Sequence, residues 1–476
     1  MNLTNIIFFS FASLGLGLLR SNRTRGWLLL IVSVLAIYWL QPPLPIRNLD
    51  FWLPTATLAI IVLVYAITLQ PTVSFWAKNR NTSLALVALI LTISATRYFP
   101  ALCCLSPTRP PQFQQVLFGI VIIAIMIRAA LHSSSKQIRL FNVPALILIG
   151  VFILLKNESF ATNGSVWLRG LTGQSQNLAA SQDIQWLGFS YVSFRLLHTL
   201  RDRVSGRLPD LTLNEFVIYF IFFPAFTAGP IDRVQRFLTD LRAKFLLAAP
   251  QILTGGQRIL TGLFKKFVLA DSLALIALNP QNAEFSNSTL WTWIILFAYS
   301  FRIYFDFSGY TDIAVGIGQF LGIKLPENFK RPYLQPNITA FWNSWHMTLA
   351  QWFRAYFFNP LTRALRMGQR NLPMPVIIFT GQFFTMILIG LWHGITWHFV
   401  IWGAWHGLGL FGHHRWVNFT KTRRQYVERS PNIQLFAMGT GTIATFLFVS
   451  VGWIWFVLPE PSQSWRVLQT LFRITS

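Results

Sequence analysis

Along the 476 residues, apolar stretches alternate with short polar ones. Apolar runs lie near 4–19, 27–40, 51–69, 83–97, 114–131 and 141–155, and then near 187–200, 213–228, 257–278, 289–307, 313–323, 373–392, 395–412 and 437–457. A helix needs about 20 residues to cross the hydrocarbon core. Several runs are shorter, so the pattern predicts roughly ten to twelve transmembrane helices with re-entrant and interfacial pieces among them. The first run has no basic stretch before it and no small-residue cleavage site after it, so it is expected to be a span and not a removed signal. No repeat or low-complexity segment divides the chain, and a single membrane domain over 1–476 is expected.

Composition agrees with this. Only 11% of residues are charged, against 53% hydrophobic and 16% aromatic; a soluble domain carries about a quarter charged residues. The net charge is +24. In a soluble chain that would suggest nucleic acid, but the basic residues sit in loops between apolar runs, and no nucleic-acid-binding pattern accompanies them. No nucleic-acid partner is expected. Arg20, Arg23 and Arg25, then Lys78 and Arg80, then Lys136 and Arg139, then Arg201, Arg203 and Arg207 mark every second loop as basic. The positive-inside rule places these loops in the cytoplasm, and the N-terminus and the 156–186 loop outside. The alternation breaks at 213–228, which has Arg233, Arg236 and Arg242 after it and contains Pro224. A short, proline-interrupted run with both ends on one side predicts a re-entrant segment, tolerated only where protein or water covers it; the alternative is one span more or fewer.

The densest chemistry is in "AFWNSWHMTLAQWF", residues 340–353. Trp342, Trp345, Leu349, Trp352, Phe353 and Tyr356 fall on one face if the stretch is helical, with Asn343, Ser344, Thr348, Gln351 and Arg354 opposite. His346 then lies at the edge of the aromatic face. It is either a residue of an interfacial aromatic belt or a group at the border of a polar passage. A second histidine, His393, ends the apolar run 376–392 and precedes Gly394. An ionisable group at membrane depth needs a reason; the plain one is a hydrogen bond to a carbonyl. His398, His406, His413, His414, His132 and His198 are weaker candidates, and no HxxxH or HxxHH spacing supports a metal, so none is expected. Asp306 is four residues from Arg302, the spacing of a helical ion pair, whereas Asp312, near Tyr310, has no evident local partner. "GLGLFG" at 407–412 fits a dinucleotide fingerprint only in letters; it lies in an apolar run and reads as helix packing. Cys103 and Cys104 are adjacent and make neither a disulfide nor a metal site.

Five segments in this order resemble the membrane-bound O-acyltransferase (MBOAT) family, in its bacterial branch of alginate O-acetyltransferases and teichoic acid D-alanyl transferases. They are "FPAFTAGPIDRVQRF" (223–237), "GLFKKFVLAD" (262–271), "YFDFSGYTDIAVGIGQFLGIKLPENFKRPYL" (304–334), "FWNSWHMTLAQWFRAYFFNPL" (341–361) and "GLWHGITWHFVIWGAWHGL" (390–408). "GFSYVSFRLLHTLRD" (188–202) and "GWIWFVLPEPSQSWRVLQTLF" (452–472) also fit. The resemblance covers a core of about 188–472, and residues 1–155 match only in being apolar.

The resemblance implies an all-α polytopic fold, a ring of membrane helices around a central tunnel. It implies catalysis by His393 as general base with His346 nearby, and Asn343, Ser344, Trp345, Trp392, Tyr310 and Asp312 as tunnel or substrate candidates. No permanently bound cofactor is implied. The donor would be a thioester of CoA or of a carrier's phosphopantetheine, and the membrane lipid surrounds the chain. The acceptor would be a hydroxyl of an exported polysaccharide, reached directly or through a secreted or periplasmic acetyltransferase partner. The acyl group implied is acetyl and not aminoacyl, and the site is the cell inner (plasma) membrane. The chain departs from the family where it has Asn343-Ser344, Arg354-Ala355-Tyr356 and Pro360-Leu361-Thr362-Arg363, where "RR", "RDY" and "PLGG" are frequent. These departures bear on acceptor and partner. The rival readings are a transporter or flippase without covalent chemistry, which predicts inverted repeats, and a catalytically silent scaffold, which would not need both histidines.

Overall fold

The computed structural model describes residues 2–19, 21–69, 74–99, 105–133, 142–368, 372–420 and 431–474. Arg20, Cys103, Cys104, Lys136 and Arg139, and the side chain of His132, lie outside the described residues. Every regular element among the described residues is helical. Among the described residues five helices are long and apolar enough to cross a membrane, or six if Asn142–Lys156 and Glu158–Leu171, bent by 95° at their junction, form one broken span. That is fewer than the ten to twelve expected, because other long helices carry charged or polar residues and others are short. The chain divides into two compact units, Met1–Ile259 with Ile313–Leu325, and Leu260–Asp312 with Pro326–Ser476.

The first unit contains α1 (Leu3–Gly17), α2 (Asn22–Leu40), α3 (Leu49–Thr68), α4 (Phe75–Ala95), α5 (Phe113–Ser133), α6 (Asn142–Lys156), α7 (Glu158–Leu171), α8 (Phe189–Val204), α9 (Leu213–Ile221) and α10 (Val234–Arg242). Helix α3 is buried over most of its length and α5 over almost none, so α3 is central. Polar groups gather at the two ends of α3. At its start, Asp50 accepts from the Thr108 amide (2.9 Å) and hydroxyl (2.7 Å), and Gln174 Oε1 accepts from the Arg47 amide at 2.8 Å. At its other end, the Tyr65 hydroxyl donates to the Leu211 carbonyl and Lys78 pairs with Asp210 at 2.6 Å. Loops predicted to share a side of the membrane therefore meet at the same end of this unit.

Helix α9 begins with a capping box, Thr212 with Glu215, and stops after nine residues. The chain that follows leaves the α-helix at Phe222, makes one buried 3₁₀ turn over Phe223–Ala225 and continues without regular structure. A helix end leaves its last carbonyls without donors. Here Arg195 of α8, 2% exposed, supplies them: its guanidinium donates to the carbonyls of Tyr219, Phe220, Ala225 and Pro230. Beyond this stretch Arg242 donates to Glu215 at 2.6 Å and to the Asp210 carbonyl, so the chain comes back to the end where α9 began. A short path that returns to its starting end with protein over its backbone has the shape expected of a re-entrant segment.

The second unit begins in the last turn of α11 (Ala249–Leu263) and continues through a π-helical stretch, Phe264–Ala270, two short helices, α12 (Asp271–Ala274) and α13 (Pro280–Glu284), and α14 (Thr289–Phe320), which belongs to this unit as far as Asp312. After Pro326 come α15 (Ile338–Trp342), α16 (Met347–Phe353), α17 (Asn359–Met367), α18 (Met374–His393), α19 (Trp397–Phe419), α20 (Pro431–Val457) and α21 (Pro461–Phe472). Asp306 does not pair with Arg302, as its spacing suggested; it pairs with Lys266 of the π-helical stretch, and Asp312 pairs with Lys265 at 2.6 Å. A Cβ on Gly309, between these two aspartates, would stand 2.8 Å from the Gly262 carbonyl oxygen. Contact that close brings two lysines to two aspartates a turn and a half apart, and the tertiary partner wins over the local one.

Candidate active site

The stretch 340–353 is not one helix. Helix α15 ends at Trp342, residues 343–346 turn, and α16 begins at Met347. The break is at His346, whose φ of 40° is left-handed, a conformation histidine tolerates better than most residues. A side chain eighteen residues upstream stabilises it. Asn328, fully buried, accepts from the Thr348 hydroxyl at 2.6 Å and amide at 3.4 Å, while its own carbonyl accepts from the Met347 amide at 2.9 Å. The first N–H groups of α16 are thus satisfied by Asn328, and His346 does not serve as their side-chain cap.

His346 is 3% exposed. Its ring meets Phe307 of α14 edge to face at 4.7 Å and Trp392 of α18 at 6.0 Å. Neither ring nitrogen has a hydrogen-bond partner beyond its own residue. Burial pushes this imidazole below its ordinary value, so the neutral form is favoured. Buried polar atoms nearly always have partners, and a neutral imidazole without one, in an aromatic wall, makes His346 a candidate for the site.

His393 is the last residue of α18 and only half-buried. Its ring contacts Trp392 at 4.5 Å, Phe456 at 4.7 Å, Trp402 at 5.7 Å and Phe399 at 5.7 Å. The indole of Trp392 thus touches both imidazoles. Close packing of α18 on α19 holds His393 in place: a Cβ on Gly390 would lie 2.2 Å from the Phe399 carbonyl oxygen, and one on Gly394 would lie 2.8 Å from the Phe399 ring. Only glycine allows this approach on both sides of the histidine.

The remaining candidates divide. Trp345 belongs to an aromatic core with Phe341, Tyr333, Phe329 and Trp453. Ser344 is buried and donates to the Ala340 carbonyl at the end of α15. Asn343 is exposed and accepts from Arg354 at 2.7 Å. Tyr310 is buried in α14, and Asp312 is committed to Lys265. Two glycines of "GLGLFG" pack closely, Gly407 against the Phe383 backbone and Gly409 against the Phe448 ring, whereas a Cβ on Gly412 would meet nothing within 4 Å. Among the described residues no cluster of metal ligands occurs.

Two features were not evident in the sequence. His406 of α19 is fully buried, ringed by Trp402 (4.9 Å), Trp342 (5.3 Å) and Phe448 (5.9 Å), and neither of its nitrogens has a partner. On the Trp342 side lies a cavity of about 180 Å³, lined by Trp342, Arg354, Gln382 and Thr385 among apolar neighbours. The Trp342 indole nitrogen and Gln382 Oε1 are both buried without partners, a donor and an acceptor beside one space. Rings link the whole set, His346 to Trp392 to His393 to Trp402 to His406 to Trp342.

A model of the MBOAT, membrane-bound O-acyltransferase family, matches residues 51–451. The chain is 34% identical over 248 residues to a teichoic acid D-alanyltransferase of Streptococcus thermophilus, covering 50% of this chain and 59% of that protein. It is 33% identical over 287 residues to a probable alginate O-acetylase of Azotobacter vinelandii, covering 60% and 53%. It is 32% identical over 302 residues to a peptidoglycan O-acetyltransferase of Helicobacter pylori, covering 60% and 54%. The chain spans a little over half the length of these relatives.

Proposed function

Because this multi-pass membrane chain belongs to the membrane-bound O-acyltransferase family, we propose that it transfers a short acyl group, acetyl, from a thioester to a hydroxyl of an exported glycan or of an intermediary partner protein. The donor is a CoA or a carrier-bound phosphopantetheine thioester presented from the cytoplasmic side of the inner membrane. The observation that carries this reading is the pair of imidazoles around Trp392, one half-buried and one buried without a partner.

In this reading His393 is the general base. A hydroxyl is a poor nucleophile until its proton has somewhere to go, and a neutral imidazole in reach is worth about 10²–10⁴-fold. The acceptor oxygen attacks the thioester carbonyl, its proton passes to His393, the C–S bond breaks, and His393 returns the proton to the departing thiolate. His346, kept neutral by burial, donates a hydrogen bond to the acyl oxygen as charge develops there. Relatives are named for both acetyl and D-alanyl transfer, so the acyl group is itself a test.

The experiment is His393→Ala with protein level checked, reading acetyl and D-alanyl ester content of exported polysaccharide. Ester acetate should fall by about a hundredfold or more. Unchanged acetate would overturn the base assignment, and loss of D-alanine in its place would overturn the acetyl assignment.

A further inference from the structure

At the end of α3 that carries Asp50, the first unit has a polar cleft of about 520 Å³, within the usual range of ligand sites. Its lining includes Arg47, Arg97, Arg109, Gln112, Gln115 and Gln174. Three arginines on this end are unexpected. The basic loops 20–25, 78–80 and 201–207 belong to the other end, which the positive-inside rule makes cytoplasmic, so the cleft opens outside. Net charge alone does not call for arginine here.

The local acid forms no ion pair with them. Asp50 is fully buried, and its carboxylate accepts from Thr108. Arg97 donates to the Pro110 carbonyl at 2.6 Å and Arg109 to the Arg97 carbonyl at 3.4 Å, bonds that orient a guanidinium and leave its charge. None of the three has an acidic partner among the described residues, whereas Arg169, in the same outer region, has Asp183 at 2.8 Å. So one outer arginine is structurally paired and three converge unpaired on a cleft. Arginine forks match carboxylate and phosphate oxygens in two-point contacts, and glutamine amides beside them suit hydroxyl groups.

We propose that this cleft docks an anionic segment of the exported glycan, its carboxylate or phosphate held by Arg47, Arg97 and Arg109 and its hydroxyls by Gln112 and Gln115. This rests on the acyltransferase reading only in taking the bound glycan to be the acceptor; binding itself needs no catalysis. An outer-leaflet anionic headgroup offers the same chemistry, and the test separates the two.

The full chain, in nanodiscs of zwitterionic phosphatidylcholine and without acyl donor, is titrated with an oligouronate, a glycerol-phosphate oligomer and a neutral glucan oligomer of equal length. At least one anionic oligomer should bind about tenfold or more tighter than the neutral one, and that binding should weaken between about 50 and 500 mM salt. Arg47→Gln with Arg109→Gln should weaken it about tenfold or more, while Arg80→Gln, near the start of α4 at the other end, leaves it unchanged. Arg97 is left intact because it holds the Pro110 carbonyl. Equal binding of neutral and anionic oligomers, or no effect of the double substitution, overturns the proposal. So does loss of oligomer binding when phosphatidylglycerol is added, which would assign the cleft to a lipid. His393→Ala should bind as the wild type does, so an error about catalysis and an error about docking give different results.

Discussion

In each unit the chain breaks from regular helix at a buried place, and the polar groups at the two breaks are handled differently. Around 219–230 the break is made safe: one buried guanidinium, Arg195, donates to four carbonyls. Around 343–346 the backbone is again satisfied, by Asn328, but the side chains are not. His346, His406, Trp342 and Gln382 hold buried polar atoms without partners. Each such atom costs about 1–3 kcal/mol. Buried side-chain atoms without partners occur in the first unit too, on Ser13, Ser33 and Arg25 among others; what sets the second break apart is that four such side chains gather on one linked set of aromatic rings beside one cavity, where a substrate would complete the bonding.

The largest effect should come from the satisfied region. Arg195→Met strips donors from four buried carbonyls, at about 1–3 kcal/mol each, and folded protein should fail to accumulate in the membrane fraction. His346→Asn, which keeps a residue tolerant of left-handed φ, should change folded yield little while reducing acyl transfer about tenfold or more. Equal damage to yield from both would erase the contrast.

Next comes Gly390→Ala. The new Cβ would meet the Phe399 carbonyl oxygen at 2.2 Å, a backbone atom that cannot swing aside. The hairpin of α18 and α19 must shift, at about 1–3 kcal/mol, and His393 moves with it. Acyl transfer should fall far more than thermal stability, measured on the same purified sample.

The pH effect is smaller. The unfolded chain protonates His346 near 6.5, and the folded chain only at lower pH because of burial. Below 6.5 the unfolded state therefore holds more protons, and this contribution to stability, present above 6.5, is lost as pH falls. Its slope is at most about 1.4 kcal/mol per pH unit. The stability difference between wild type and His346→Asn, followed by thermal unfolding from neutral to mildly acid pH, should move in the variant's favour as pH falls; a constant difference would mean that His346 is not buried neutral.

Much of this was legible in the sequence, though not always for the right reason. The apolar runs located the helices, and His346 and His393 stood out as imidazoles among tryptophans. The helical phase that put His346 at the edge of an aromatic face did not hold, because α15 ends at Trp342. The break depends on Asn328, and nothing near 346 announces a cap from that far upstream. Asp306 misled similarly: Arg302 is its neighbour by periodicity, but close packing at Gly309 delivers Lys266. His406 looked like one more histidine in an apolar run, since only the fold shows that both of its nitrogens lack partners. Local pattern predicts elements; the pairing of buried polar groups is long-range and had to be seen.

The most direct test of the two-histidine site is a double-mutant cycle on acyl transfer, with His346→Asn, His393→Ala and both together. If His393 takes the proton and His346 holds the acyl oxygen in one transition state around Trp392, each single substitution slows transfer and the double variant is slower than either. If His393→Ala or His346→Asn keeps the wild-type rate, the histidines do not share a reaction and the site lies elsewhere.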